Sequence, residues 1–218
     1  MRRFVSLVCL IWVVTACDGN PEIGIEKNAK QQFAVLPGKI GVTLKNALGE
    51  WHHIIRQGEL IKVDSLPKAL PEAATILSKS FDSPAGLPPQ EGYVYWGPYL
   101  PSPNKRYIAA SMAVERHAAG SPGFVVVDTK VNKTVAILKG NENCSIKSLA
   151  WSPDSKWVAV LKASSELSAL DRFVISLTGH ADPTMIWYLE VVNLAGDVVA
   201  HSKLTELRGS WGWVVWME

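Results

Sequence analysis

Cys17 stands directly behind Val13-Val14-Thr15-Ala16, and that run follows Arg2-Arg3 and an apolar stretch from Phe4 to Val14. A basic start, a short apolar stretch and small residues before a cut site are what a signal peptidase reads. The apolar run is too short to span a bilayer, which takes about 20 residues. A second group with chemical potential is the aromatic segment Tyr93-Val94-Tyr95-Trp96-Gly97-Pro98-Tyr99. Gly and Pro shape a rigid loop there, and rigid aromatics lose little entropy when they bind. Tyr93, Tyr95, Trp96 and Tyr99 are therefore the candidate contact residues. A strand whose aromatics fill the core is expected slightly ahead of that contact role.

The residues at 2–17 resemble the signal of bacterial lipoproteins. The resemblance implies that the leader 1–16 is removed and that Cys17 becomes the first residue and carries lipid (palmitate among its acyl chains). It also gives Asp18 a meaning. In enteric bacteria that family uses Asp after the Cys to retain the protein at the inner membrane, so the periplasmic face of the inner membrane is the expected address, ahead of the outer membrane. With Cys9 in the leader and Cys17 lipidated, Cys144 is left alone and no internal disulfide can form.

Elsewhere the reactive side chains do not assemble into a known motif. His52 and His53 are adjacent, and neighbours in a strand point to opposite faces, so they do not share a metal ion. His117, His180 and His201 are scattered, and Glu142, Asp171 and Asp182 have no partner that spacing can assign. There is no nucleophile elbow, zinc-protease motif, phosphate loop or dinucleotide fingerprint. No catalytic residue, metal or cofactor is expected. The 22 basic and 20 acidic residues give a net charge of +2, and removal of Arg2 and Arg3 brings the balance to zero. A neutral domain does not ask for nucleic acid. Nine Trp and 48% apolar residues argue for a packed core.

The elements that must carry these residues read as mainly β. Residues 17–32 are polar and read as a tether, and 33–218 as one β-rich domain. Residues 40–56 form a hairpin around Asn46–Gly49, and 66–80 carry a short helical stripe. Residues 83–103, rich in Pro, read as a connector. Strand patterns follow at 107–112, 124–127, 134–138, 146–151, 157–162, 173–177, 185–192, 198–203 and 211–216, with a helical turn at 165–170. The strand at 211–216 is expected to pair with the early hairpin and join the two ends of the fold. Trp151 and Trp157 are expected in the core. For Trp211, Trp213 and Trp216, packing is expected ahead of stacking on a ligand.

One pattern recurs. Ser102-Pro103-Asn104-Lys105-Arg106-Tyr107-Ile108-Ala109 parallels Ser152-Pro153-Asp154-Ser155-Lys156-Trp157-Val158-Ala159. Pro fixes φ at the second turn position, and Asn or Asp caps the turn. With Ala150-Trp151 before it, the second copy resembles the repeat of TolB-type β-propellers. Lys105 and Ser155 stand where that family has Gly. The two copies cover roughly residues 93–203. The resemblance implies a partial or small TolB-like propeller of antiparallel sheets with a short helix. Together the resemblances imply a membrane-anchored envelope protein that binds or assembles with a protein partner. A glycan- or peptide-binding lipoprotein using exposed aromatics is the alternative, and a hydrolase with an unrecognised site stands last.

Overall fold

Period-two alternation of β-branched and aromatic residues builds almost everything that can be seen of this chain. The computed structural model describes residues 21–67, 87–90, 93–114, 123–139, 144–167, 172, 176–177 and 183–218. For residues 93–98, 113, 114, 139 and 166 only the backbone is described. Among the described residues there are twelve strands and the short helix α1 (Lys30–Ala34). The strands are β1 (Lys39–Asn46), β2 (Gly49–Arg56), β3 (Glu59–Val63), β4 (Tyr93–Pro101), β5 (Tyr107–Val114) and β6 (Gly123–Asp128). They continue with β7 (Lys133–Lys139), β8 (Cys144–Trp151), β9 (Trp157–Glu166), β10 (Thr184–Asn193), β11 (Val198–Arg208) and β12 (Trp211–Met217).

They form three four-stranded antiparallel sheets. Two are meanders in chain order, β4-β5-β6-β7 and β8-β9-β10-β11, and the other has the order β12-β1-β2-β3. The last strand thus completes the first sheet. Ile40 pairs with Trp216 and Val42 with Val214 on one side of β1, and with Ile55 and His53 on the other. This is the joining of the two ends expected from the sequence.

The β8–β11 sheet is the middle layer. Along β9, Ala159, Leu161 and Ala163 belong to the core shared with β1, β2 and β12, which includes Ile40, Val42, Leu44, Trp51 and Val214. Val158 and Val160 belong to a second core with Ala109, Phe124, Val126 and Ala136 of the β4–β7 sheet. A near-continuous apolar run, here Val158–Leu161 with Ala163, is what a strand buried on both faces shows. The other face of the β4–β7 sheet carries buried Ala110, Met112, Val125 and Val127, with Leu87 and Tyr99 packed against them.

The turns follow their residues. In the β1–β2 turn, Asn46 Oδ1 accepts from the N–H of Leu48 at 2.8 Å and of Gly49 at 3.2 Å. The β2–β3 turn has Gln57 and Gly58 both at positive φ, 51° and 76°, as a tight two-residue hairpin demands. A Cβ on Gly58 would lie 2.2 Å from the Lys30 carbonyl oxygen, so only glycine lets α1 seat there.

The two Ser-Pro turns have matching geometry. Ser102 Oγ donates to Asn104 Oδ1 (2.7 Å) and accepts from Tyr107 N–H (3.0 Å). Ser152 Oγ does the same with Asp154 Oδ1 (2.6 Å) and Trp157 N–H (3.0 Å). Lys105 and Ser155 have φ of 58° and 60°, the left-handed region where glycine is at ease. The copies also touch: Asn104 N–H donates to Ser155 Oγ at 3.1 Å, and Trp151 Nε1–H to the Leu100 carbonyl at 2.8 Å.

Four expectations need correction. The Pro-rich connector contains β4, at the edge of its sheet, and its ladder to β5 lapses between Tyr95 and Tyr99. Edge position and irregular pairing are what let a strand contain Pro. Ser165 and Glu166 extend β9, because Met185 and Thr184 of β10 continue the ladder opposite them. Ser176 and Leu177, expected at the end of a strand, have helical backbone. Short apolar runs do not separate the two states by pattern. The segment 17–32, read as a tether, is held where it is described: Ala29 is buried, and Ile23 and Ile25 pack on the same core. The helical stripe expected at 66–80 lies outside the described residues from 68 onward. Strand β3 and helix α1 were not anticipated.

Candidate functional site

The described chain enters along β11. Glu26 N–H donates to Ser202 Oγ at 3.0 Å, and Gly24 N–H donates to the Leu204 carbonyl at 2.9 Å. Gln32 Oε1 accepts from His201 N–H at 3.2 Å, and Lys30 pairs with Glu59 at 3.1 Å. Phe33 anchors the segment by burying its ring in the core between sheets. Burying a Phe side chain contributes about 1.5–3 kcal/mol, so this segment is held against the domain. Cys17 and Asp18 lie outside the described residues. No helix among the described residues is long and apolar enough to cross a membrane.

The aromatic segment forms most of β4. Tyr93 pairs with Val114 and Tyr95 with Met112, and pairing resumes at Tyr99 with Ala110. The backbone at Trp96-Gly97-Pro98 is outside that ladder. Tyr99 is half-buried and packs against Ala110, Met112, Val125 and Val127. The structure therefore puts the four residues on one strand, and Tyr99 has a packing role.

A charged cluster missed in the sequence occupies the middle sheet. Lys162 on β9 and Glu190 on β10 are both buried, and their Nζ and Oε2 atoms are 2.5 Å apart. The other carboxylate oxygen of Glu190 is 3.3 Å from Nδ1 of His201 on β11, and the His201 ring stacks on Tyr188 with centroids 5.8 Å apart. Tyr188 and Lys162 are directly opposite in the β9–β10 ladder. A buried charge needs a partner, and each of these two supplies the other's. The signal was present: one Lys interrupts the apolar run 158–163, and one Glu interrupts 185–192. Pairing those two interruptions needs the register, which spacing does not supply.

Cys144 begins β8 near this cluster. It is a free thiol, half-buried, and burial pushes its pKa up, with smaller opposing effects from Lys162 and Lys147. The shift favours the protonated thiol, which is a poor nucleophile.

His52 and His53 point to opposite faces of β2, as the strand period requires. His52 Nδ1 is 2.9 Å from Thr43 Oγ1, and its Nε2 is 3.4 Å from Glu50. His53 is buried on the core side, and burial, then Lys62 and His52, lower its pKa. Among the described residues no three His, Cys, Asp or Glu side chains converge to hold a metal. Asp171, Asp182, Glu142, His117 and His180 lie outside them.

On β12, Val214 is buried, Trp216 packs on the core and donates from Nε1 to the Pro37 carbonyl at 2.8 Å, and Trp211 is exposed. Val214 and Trp216 share the face of β12 that packs on the core, and Trp211 belongs to the other face. Trp151 is buried and Trp157 partly buried.

No family model matches the chain, and no curated protein matches it either.

Proposed function

We propose that this chain is a lipid-anchored envelope protein, acylated at Cys17, whose sheets form a small TolB-like β-propeller serving as a protein-binding or assembly module. The observation that carries the reading is the docking of residues 24–33 on β11 and α1's seat on the β2–β3 turn. A chain joined through Cys17 to a bilayer reaches Gly24 within about 25 Å, so the docked segment would hold the domain close to the membrane in a restricted orientation. That is a useful property for a module that must meet a partner in the envelope. The propeller reading is supported by the paired Ser-Pro turns and by the last strand completing the first sheet. It is supported too by the lead strands β12 and β4, both of which lie against β8.

The contact surface is assigned to Tyr93, Tyr95 and Trp96, which lead up to the lapse in the β4 ladder after Tyr95 and lie close together in the sequence. Metabolic labelling with a fatty acid tests the anchor. Label should enter the native chain and be absent from Cys17→Ser, and label persisting in that variant overturns the anchor. Fractionation should find the protein at the inner membrane, and an outer-membrane location alone overturns the role given to Asp18. Trp96→Ala should leave the melting curve intact and weaken capture of the partner that co-purifies from membranes. A loss of stability equal to that of a core Trp makes β4 packing instead.

A further inference from the structure

The N-terminal segment has a direction, and it leads to one end of the molecule. Glu26 meets Ser202 and Gly24 meets Leu204, so each step toward the N-terminus is a step along β11 toward Arg208. Glu22 accordingly borders the same shallow groove as Glu206. The β1–β2 turn is at this end too, because Asn46 Nδ2 donates to the Arg208 carbonyl at 3.4 Å. Trp211 opens β12 opposite Lys45 of β1. The exit toward Cys17, Leu48 and Trp211 therefore share one end of the fold. Leu48 is 73% exposed and Trp211 53%, so two large apolar side chains face solvent at the end where the chain leaves toward Cys17.

We propose that this end docks on the lipid bilayer, with Leu48 and Trp211 entering the interfacial layer. The inference rests on the lipidation of Cys17. Trp is suited to that layer because its ring is apolar and its N–H keeps a hydrogen bond. Lys45 Nζ lies over the Trp211 ring, 5.9 Å from its centroid, and 3.3 Å from Glu50, so this ion pair marks the polar edge of the ring, where the headgroup layer would meet it. The charges here are mixed: Lys45 is offset by Glu50, and Lys203 by Glu22, Glu26 and Glu206 along the groove. Apolar contact, not net charge, drives the docking, and anionic lipid is not needed. Two side chains alone would not hold a protein to a membrane. The anchor supplies the high effective concentration that lets them set its orientation. Val35, 83% exposed, is the internal control. It precedes β1, whose first and last residues are about 23 Å apart, so it lies at the far end.

The test uses the full lipidated protein in a Cys144→Ser background, reconstituted into phosphatidylcholine vesicles. An environment-sensitive fluorophore is placed on Leu48→Cys or Val35→Cys. The probe at 48 should shift to the blue and be quenched by brominated lipid, while the probe at 35 stays water-like. Replacing part of the lipid with an anionic one should change neither, and Trp211→Ser should weaken the quenching at 48. Flotation with the vesicles but a water-like probe at 48 overturns the docking alone, as does equal quenching at both positions. Failure to float overturns the anchor and the docking together. A shift at 48 only with anionic lipid overturns the apolar mechanism.

Discussion

Trp151 joins the two sheets that carry the repeat, and removing it should show how much that junction contributes. The ring is 6% exposed, stacks on Tyr107 with centroids 6.2 Å apart, and donates from Nε1 to the Leu100 carbonyl at 2.8 Å. Trp151→Ala loses the transfer free energy of the ring and leaves a cavity, about 3–5 kcal/mol together. It also strands the Leu100 carbonyl, which adds about 1–3 kcal/mol. Folded domains have about 5–15 kcal/mol in hand, so the variant should be marginal. Trp151→Phe keeps most of the ring and loses the donor, and should cost about 1–3 kcal/mol. A double-mutant cycle with Tyr107→Ala should return a coupling of about 0.5–1.5 kcal/mol for the stacked pair. Urea unfolding followed by circular dichroism reads all of these as midpoint shifts. Equal losses for the Ala and Phe variants would show that the hydrogen bond, not the packing, dominates. An unchanged midpoint for Trp151→Ala would refute the core assignment.

Acidification should weaken the fold through His53. Its pKa lies below the ordinary value of 6.5, mainly through burial, so the unfolded chain takes up the proton first. The stabilisation is present above that value and is lost as pH falls below it. His53→Phe should flatten the melting temperature against pH below about 6.5, and an undiminished slope would refute the assignment. Lys105→Gly should raise stability by up to about 1 kcal/mol, because relief of a left-handed residue (about 1–2 kcal/mol) exceeds the entropy glycine costs. Ser155→Gly relieves the same backbone but removes the Oγ that accepts from Asn104 N–H, so it should melt below Lys105→Gly. Equal gains in the two would show that the Ser155 bond contributes nothing.

The parts of the fold legible beforehand are those governed by local rules. Alternation at 40–44 and the Asn46 turn define the first hairpin. The Ser-Pro-Asn and Ser-Pro-Asp turns announce β5 and β9, because one hydroxyl and one carboxamide or carboxylate close the same loop twice. What escaped depends on neighbours. Strand β3 is short and mostly exposed, with a burial pattern set only by its place at the sheet edge. Helix α1 has five residues and no side-chain cap, so tertiary contact with Gly58 and β11 holds it, and tertiary contact leaves no local pattern. Tyr93–Pro101 admitted both a connector and a strand reading, because Pro is excluded from central positions, and only the sheet order shows that this strand is at an edge. The Lys162–Glu190 pair was hidden for a related reason. Each residue is an oddity in its own run, and only the β9–β10 register makes them partners.

The N-terminal segment 24–33 and the closing strand β12 share one buried cluster. Ala29 and Phe33 from the former and Val214 from the latter belong to the same buried cluster, with Trp187 and Leu189 of the middle sheet between their sequence positions. Val214 N–H also donates to Ser148 Oγ at 3.2 Å, so β12 is tied to β8 as well as to β1. A pull on the chain from Cys17 would therefore not meet a frayed terminus. It would meet the bonds from Gly24 and Glu26 to β11 first, and behind them a Phe ring packed in the core that closes the fold. Detaching that ring would open the cluster that holds β12 on β1. The contacts that would orient the domain at a membrane are thus continuous with those that keep its first and last strands in one sheet.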